Sequence, residues 1–159
     1  MEHMDEMGYE EQVREGTIRK AMERFGALIR EDFKRIDGMK QAPGRKDFKK
    51  LDHITVGILP GDGIGPYIME QALRVAKYLL QEEVASGKVE FRTIPGMTIE
   101  ERAQKNESLP AEVLEACKAC DVLVKGPFVT PRAGDSWPNL VSANSLLRRA
   151  LQLYAAVRP

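Results

Sequence analysis

Hydrophobic positions divide the chain into two parts with different periodicity. In the first part, apolar residues recur at steps of three and four among charged ones: Ile18, Met22, Phe25, Ile29 and Ile36. This spacing predicts an amphipathic helix from about Glu10 to Asp37, and we call its apolar side, formed by those five residues, the apolar stripe. The stripe could bind a partner or another copy of the chain. We favour packing on its own domain.

The first helix is expected to end near Gly38, where glycine commonly terminates a helix. The stretch 41–46 contains Pro43 and Gly44 and has the composition of a linker. We therefore predict a helical extension with a linker over residues 1–50 and a separate domain over residues 51–159.

After Leu51, short apolar runs alternate with longer amphipathic segments. The predicted strands are 54–59, 89–94, 121–125 and 154–157. The predicted helices are 66–87, 110–120 and 142–151. Strands separated by helices form a parallel sheet with helices on its faces, so we predict an α/β fold.

The predicted helices each have an apolar face. In the first helix of the α/β region this face is Ile68, Ala72, Val75, Ala76, Leu79 and Leu80. In the second helix we expect Val113, Leu114 and Cys117 to point inward. Cys117 and Cys120 could form a redox pair or half of a zinc site, but no second cysteine pair exists, and we favour packing against the core.

Charge and composition exclude several classes of function. The chain carries 24 basic and 24 acidic residues, so it has no general attraction to nucleic acid or to an anionic membrane. No apolar run approaches a membrane span, and the acidic N-terminus lacks the hydrophobic stretch of a signal peptide. We expect no nucleic-acid or membrane partner and a cytoplasmic location.

A glycine-rich loop, Gly61–Pro66, follows the first strand and opens a helix. Its spacing is Gly-x-Gly-x-Gly, which differs from the dinucleotide-binding fingerprint Gly-x-Gly-x-x-Gly. No Lys-Ser or Lys-Thr pair follows, so it is not a P-loop. A tight strand-to-helix turn is the favoured interpretation, with phosphate contact as the alternative.

A second loop, Lys125–Pro131, lies at the carboxyl end of a predicted strand, where α/β sheets place ligands. The Thr130 hydroxyl and backbone N–H groups are its candidate ligand contacts. The alternative is a strand end that is turned by two prolines.

The richest group of polar side chains lies near the end of the sequence. Ser142 occupies an N-cap position, and Asn144 and Arg148 share one helix face because they are four residues apart. Arg158 ends the predicted strand that follows. A helix N-terminus and two guanidinium forks suit a dicarboxylate or tricarboxylate. An exposed, capped helix with solvated arginines is an equally open interpretation.

Three segments, in this order, resemble the isocitrate/isopropylmalate dehydrogenase family of decarboxylating β-hydroxyacid dehydrogenases. They are Ile58–Pro66, Leu123–Pro131 and Ser142–Pro159, and the resemblance covers residues 52–159. It implies an incomplete large domain of that family's fold, which is not the Rossmann fold. It also implies a homodimer, when complete, that oxidises a 2-hydroxy acid with NAD or NADP and then decarboxylates it.

The resemblance assigns roles to residues by position. Ser142, Asn144, Arg148 and Arg158 match substrate-binding residues, whereas Thr130 and Ile64 match residues near the cofactor. The family's catalytic Tyr and Lys and its ligands for Mg or Mn match positions beyond Pro159. We therefore expect no catalytic residue and no metal ligand in this chain, and we expect the chain to be inactive alone.

The resemblance also bears on the substrate. Isocitrate-type members carry small polar residues where this chain has Ser142 and Asn144, so an isocitrate-like carboxylate is the expected ligand. Isopropylmalate, homoisocitrate and tartrate are alternatives within the family. A further alternative is a non-catalytic fragment or subunit that needs a second polypeptide.

Overall fold

The computed structural model describes residues 2–41, 44, 46–153, 155 and 157, without the side chains of residues 2–7. The chain divides into two compact units, Met1–Asp47 and Phe48–Pro159, and each is treated by itself. None of the described helices combines the length and the apolar character needed to cross a membrane.

The first unit contains one helix of 40 residues, α1 (Glu2–Gln41). It is longer at both ends than the predicted segment, because the flanking Glu, Gln, Met and Lys residues also favour helix. The apolar stripe is exposed, with Phe25 66% and Ile36 38% accessible. Packing of the stripe on its own domain stays a prediction.

The second unit alternates strands and helices. After a short 3-10 turn (Phe48–Lys50), its strands are β1 (Ile54–Leu59), β2 (Val89–Thr93) and β3 (Val122–Lys125). Its helices are α2 (Gly65–Leu79), α3 (Gln81–Ala85), α4 (Ile99–Lys105), α5 (Ala111–Lys118) and α6 (Ala143–Ala150). The strands form a parallel sheet in the order β2-β1-β3, which confirms the α/β prediction.

The helices differ from the predicted ones in two places. Helix α4 was not predicted, although Thr98 and Glu101 form a capping box at its start, in which each side chain accepts a hydrogen bond from the other residue's backbone N–H. The predicted helix 66–87 is interrupted at Leu80, which departs from helical geometry.

The predicted strand 154–157 is not observed among its described residues. Ala155 and Val157 have no assigned secondary structure, and Tyr154 and Ala156 lie outside the described residues.

The apolar face predicted for α2 is mostly exposed, although Ala76 and Leu80 are half-buried and Leu80 packs against the core cluster beside β1. Ile68, Val75 and Leu79 are 56–71% exposed. The buried position is Met69, which packs with β1, and Leu73 is half-buried beside it. Apolar residues occur on two sides of this helix, and only one side faces the sheet, so composition alone did not identify the buried side.

The larger core cluster joins the sheet to α5, α6 and the loops that follow the strands. Its buried members are Leu59, Ile94, Met97, Val113, Cys117, Phe128, Ala143 and Leu147. Cys120 is half-buried against it, so the predicted packing role of both cysteines is confirmed. Burial raises the pKa of the Cys117 thiol to about 11.

Candidate functional site

The loops after β1 and β3 meet at the carboxyl edge of the sheet. Gly61 has φ +86°, and a Cβ atom there would overlap the backbone of Pro127, so a side chain is excluded on both grounds. The Asp62 N–H donates to the Pro127 carbonyl at 2.7 Å, and the Gly126 N–H donates to the Leu59 carbonyl at 2.8 Å. The glycine-rich loop is therefore a tight turn that brings two strand ends together.

Asp62 lies at the centre of this edge, with its side chain only 2% exposed. Its Oδ1 accepts a hydrogen bond from the Ile99 N–H at 2.6 Å. Its Oδ2 accepts from the Val129 N–H at 2.7 Å and from Arg102 Nη2 at 2.9 Å. One carboxylate thus connects the loop after β1, the start of α4 and the loop after β3.

Arg102 is completely buried and is the cationic partner of Asp62. Its Nε donates to the Met97 carbonyl at 3.2 Å, and its Nη2 also donates to the Val129 carbonyl at 2.9 Å. The guanidinium lies 5.8 Å from the centre of the Phe128 ring. Asp62 and Arg102 therefore hold both backbone polar groups of Val129 and fix the chain next to Thr130.

Lys125 ends β3, and its side chain also lies near the Phe128 ring. Its Nζ donates to the Gly126 carbonyl at 2.8 Å and lies 4.7 Å from the centre of the Phe128 ring. Burial lowers the pKa of Lys125, and the nearby charge of Arg148 lowers it further. A positive region therefore joins the end of β3 to α6, and an anion bound there would offset this repulsion.

Helix α6 is anchored by Ala143 and Leu147, which are 0% and 5% exposed and belong to the same core cluster as Phe128. Asn144 and Arg148 each follow one of these anchors, so they lie together on the adjacent helix face. Arg148 is exposed. The Oδ1 atom of Asn144 is buried and has no hydrogen-bond partner.

The other predicted site residues are Ser142, Thr130, Ile64 and Arg158. Ser142 is the residue before α6, but its side chain makes no capping hydrogen bond. Thr130 is exposed, and Ile64 is 71% exposed. Arg158 lies outside the described residues. The roles of these residues stay predictions.

Two residues of this edge were missed by sequence reasoning. Asp62 was noted only as part of a glycine-rich loop, although an acidic residue between two glycines was a usable signal. Arg102 gave no signal, because it is one of several charged residues in a short polar helix. Only the fold brings the two side chains together across 40 positions.

The described residues contain no group of three or more His, Cys, Asp or Glu side chains that could hold a metal ion. The side chains of Lys125, Asn144 and Arg148 offer ammonium, amide and guanidinium donors at this edge, and such donors suit an anionic organic ligand.

Known proteins are similar to the second unit in sequence and in fold. The family described as "Isocitrate/isopropylmalate dehydrogenase" matches residues 55–159. Among similar structures is the apo form of a beta-decarboxylating dehydrogenase from Thermococcus kodakarensis, with 31% identity and a TM-score of 0.52, over 64% of this chain and 27% of that one.

Several curated proteins are similar in sequence. A 3-isopropylmalate dehydrogenase from Oleidesulfovibrio alaskensis is 39% identical over 67% of this chain and 29% of its own length. The isocitrate dehydrogenase [NADP] of Aquifex aeolicus is 32% identical over 77% of this chain and 30% of its own length. The chain thus spans less than a third of the length of these relatives.

Proposed function

The chain belongs to the isocitrate/isopropylmalate dehydrogenase family, and we propose that its carboxyl sheet edge binds the substrate of a nicotinamide-dependent decarboxylating dehydrogenase. The whole reaction would be hydride transfer from the hydroxyl-bearing carbon to NAD or NADP, followed by loss of the carboxylate β to the new ketone. This chain would supply one wall of the active site, and we propose that it does not turn over substrate by itself.

The pairing of Asn144 with Arg148 carries this proposal. Arg148 offers an exposed planar fork that can take a carboxylate in two parallel hydrogen bonds. Asn144 lies on the same helix face as Arg148, and its side-chain amide can exchange hydrogen bonds with the hydroxyl of a hydroxy acid. Lys125 adds positive charge on the same side. A 2-hydroxy acid has both of the groups that this face can receive.

We propose isocitrate as the substrate, because Ser142 and Asn144 are small and polar and leave room for a third carboxylate. 3-Isopropylmalate is the second candidate. It is favoured by relatives such as those from Carboxydothermus hydrogenoformans and Oleidesulfovibrio alaskensis, which are named 3-isopropylmalate dehydrogenases. An isopropyl group would need an apolar wall near these two positions.

Thr130 is the residue of this chain that we propose for contact with the nicotinamide end of the cofactor. Its backbone is positioned by the hydrogen bonds that Asp62 and Arg102 make to Val129. When bound, the nicotinamide would supply the hydride acceptor. Ile64, which is exposed on the neighbouring loop, is a second proposed contact.

Ligand binding by the purified chain tests the proposal without requiring turnover. Isocitrate and 3-isopropylmalate are titrated separately into the chain, and heat and the fluorescence of Trp137, its one tryptophan, are recorded. Isocitrate should bind more tightly. Arg148→Ala should weaken this binding about ten-fold or more, because an anion loses a charge-assisted hydrogen bond.

Arg149→Ala is the matched control, since this arginine is also exposed on α6 but lies on a different face. It should bind isocitrate like the unchanged chain. Equal losses in both variants would indicate only a general charge effect, and unchanged binding by Arg148→Ala would refute the site. Tighter binding of 3-isopropylmalate would move the assignment to the second candidate.

A further inference from the structure

The apolar stripe of α1 lies outside the dehydrogenase fold and has no role in the proposed site. Its side chains are exposed, from 38% for Ile36 to 69% for Met22. A shallow groove beside Gly26 is bordered by Ile18, Met22 and Arg30. A contiguous apolar face of this length on an exposed helix is typical of a surface that meets another helix.

The charges of α1 are distributed unevenly along its length. Residues 2–15 contain six acidic residues and one basic residue, whereas residues 16–41 contain four acidic and seven basic residues. One end of the helix is therefore negative and the other positive. Two copies placed side by side in the same direction would repel at both ends, and two copies in opposite directions would attract.

Two charged residues on the same face as the apolar stripe show the same uneven distribution of charge, because one lies in the negative part of α1 and the other in the positive part. Glu11 lies fourteen positions before Phe25, and Lys40 lies fifteen positions after it. At about 100° per residue, all three fall on one side of the helix. Antiparallel helices that cross at Phe25 would thus bring Glu11 of one copy opposite Lys40 of the other. Each dimer would contain two such contacts.

We propose that α1 is a self-association element, in which two copies of this chain pair their apolar stripes in antiparallel orientation around Phe25. The contact excludes water from the stripe and joins oppositely charged helix ends. An anionic membrane suits the apolar stripe less well than a second copy of the chain, because the ten acidic residues of α1 outnumber its eight basic residues. This inference does not depend on the proposed enzymatic function.

The association state of the full chain tests the proposal. Sedimentation equilibrium should show a monomer–dimer equilibrium. Phe25→Ala should raise the dimer dissociation constant by about 30-fold or more, because an aromatic at the centre of an interface is lost from both partners. Tyr9→Ala is the matched control. Tyr9 is equally exposed, at 70%, but lies about 160° around the helix from Phe25, so its loss should change nothing.

The orientation is tested by exchanging the two charges. Glu11→Lys and Lys40→Glu should each weaken the dimer about three-fold or more, because attraction becomes repulsion at both ends. The double variant should regain the original affinity. In a parallel dimer each of these residues would face its own copy, so a single charge reversal would leave a like-charge pair and change the affinity little, and the double variant would behave like the starting chain.

Three results would overturn the proposal. One is a chain that is monomeric at every concentration. A second is a dimer that survives Phe25→Ala, which would place the interface elsewhere. A third is charge variants that follow the parallel pattern. Because circular dichroism records helix content independently, a variant whose α1 melts is recognised and is judged on the charge exchange instead.

Discussion

Replacement of Arg102 by Met tests how the sheet edge is held together. Met fills similar volume but removes the positive charge that faces Asp62. The Asp62 carboxylate, 2% exposed, would keep its two backbone donors and lose the positive charge of Arg102. Breaking a buried ion pair by removing one partner destabilises by about 3–5 kcal/mol. That is a large part of the roughly 5–15 kcal/mol that keeps a domain folded.

The assay is urea unfolding, followed by circular dichroism and by the fluorescence of Trp137, which is half-buried in the loop after β3. Arg102→Met should lower the free energy of unfolding by the amount given above. Arg149→Met is the control, since Arg149 is exposed on α6, and it should leave the transition midpoint unchanged.

A double variant separates charge from packing. If the penalty comes from the broken ion pair, then the losses caused by Arg102→Met and by Asp62→Asn should not add, and the double variant should lose less than the sum of the two single losses, because each single change already breaks the same pair. The reasoning would be refuted by a loss of less than about 1 kcal/mol in Arg102→Met. It would also be refuted by single losses that simply add in the double variant.

Three further outcomes are expected. Gly126→Ala should destabilise the fold strongly in thermal unfolding, because its Cβ would overlap the backbone of Pro60; an unchanged midpoint would contradict this contact. The pKa of Glu101 is lowered by backbone hydrogen bonds, so its stabilising effect should be present above the ordinary glutamate range and lost as pH falls through the lowered pKa. Glu101→Gln should therefore be less stable at neutral pH, with a deficit that disappears in acid. Arg148→Ala should raise the pKa of Lys125, measured by NMR titration, because a nearby positive charge is removed.

Periodicity was sufficient to predict the strands and most helices of the second unit. β1 matches its predicted bounds, and β2 and β3 differ by one residue at one end. β1 and β3 are short apolar runs, and β2 alternates apolar and polar residues, so local pattern and tertiary position agree. The side of α2 that is buried depended on where the sheet lies, and sequence alone did not supply that information.

The candidate site could be predicted from the sequence only where residues that are close together in the chain form it. Asn144 and Arg148 are four positions apart, and helix geometry alone places them together. The link between Asp62 and Arg102 spans 40 positions, so it depends on the topology that brings α4 beside the loop after β1. Local motifs therefore indicate candidate ligand contacts, and long-range contacts determine what holds these residues in place.

The hydrogen bonds that join Asp62 and Arg102 to the backbone of Val129 have a consequence for how the sequence of the loop after β3 can vary. Both side chains bind the backbone N–H and carbonyl of Val129, and its own side chain is 40% exposed. These hydrogen bonds therefore do not depend on which side chain residue 129 carries. Mutation can explore that position, next to Thr130, while the path of the loop stays fixed. Directed evolution of specificity could begin there.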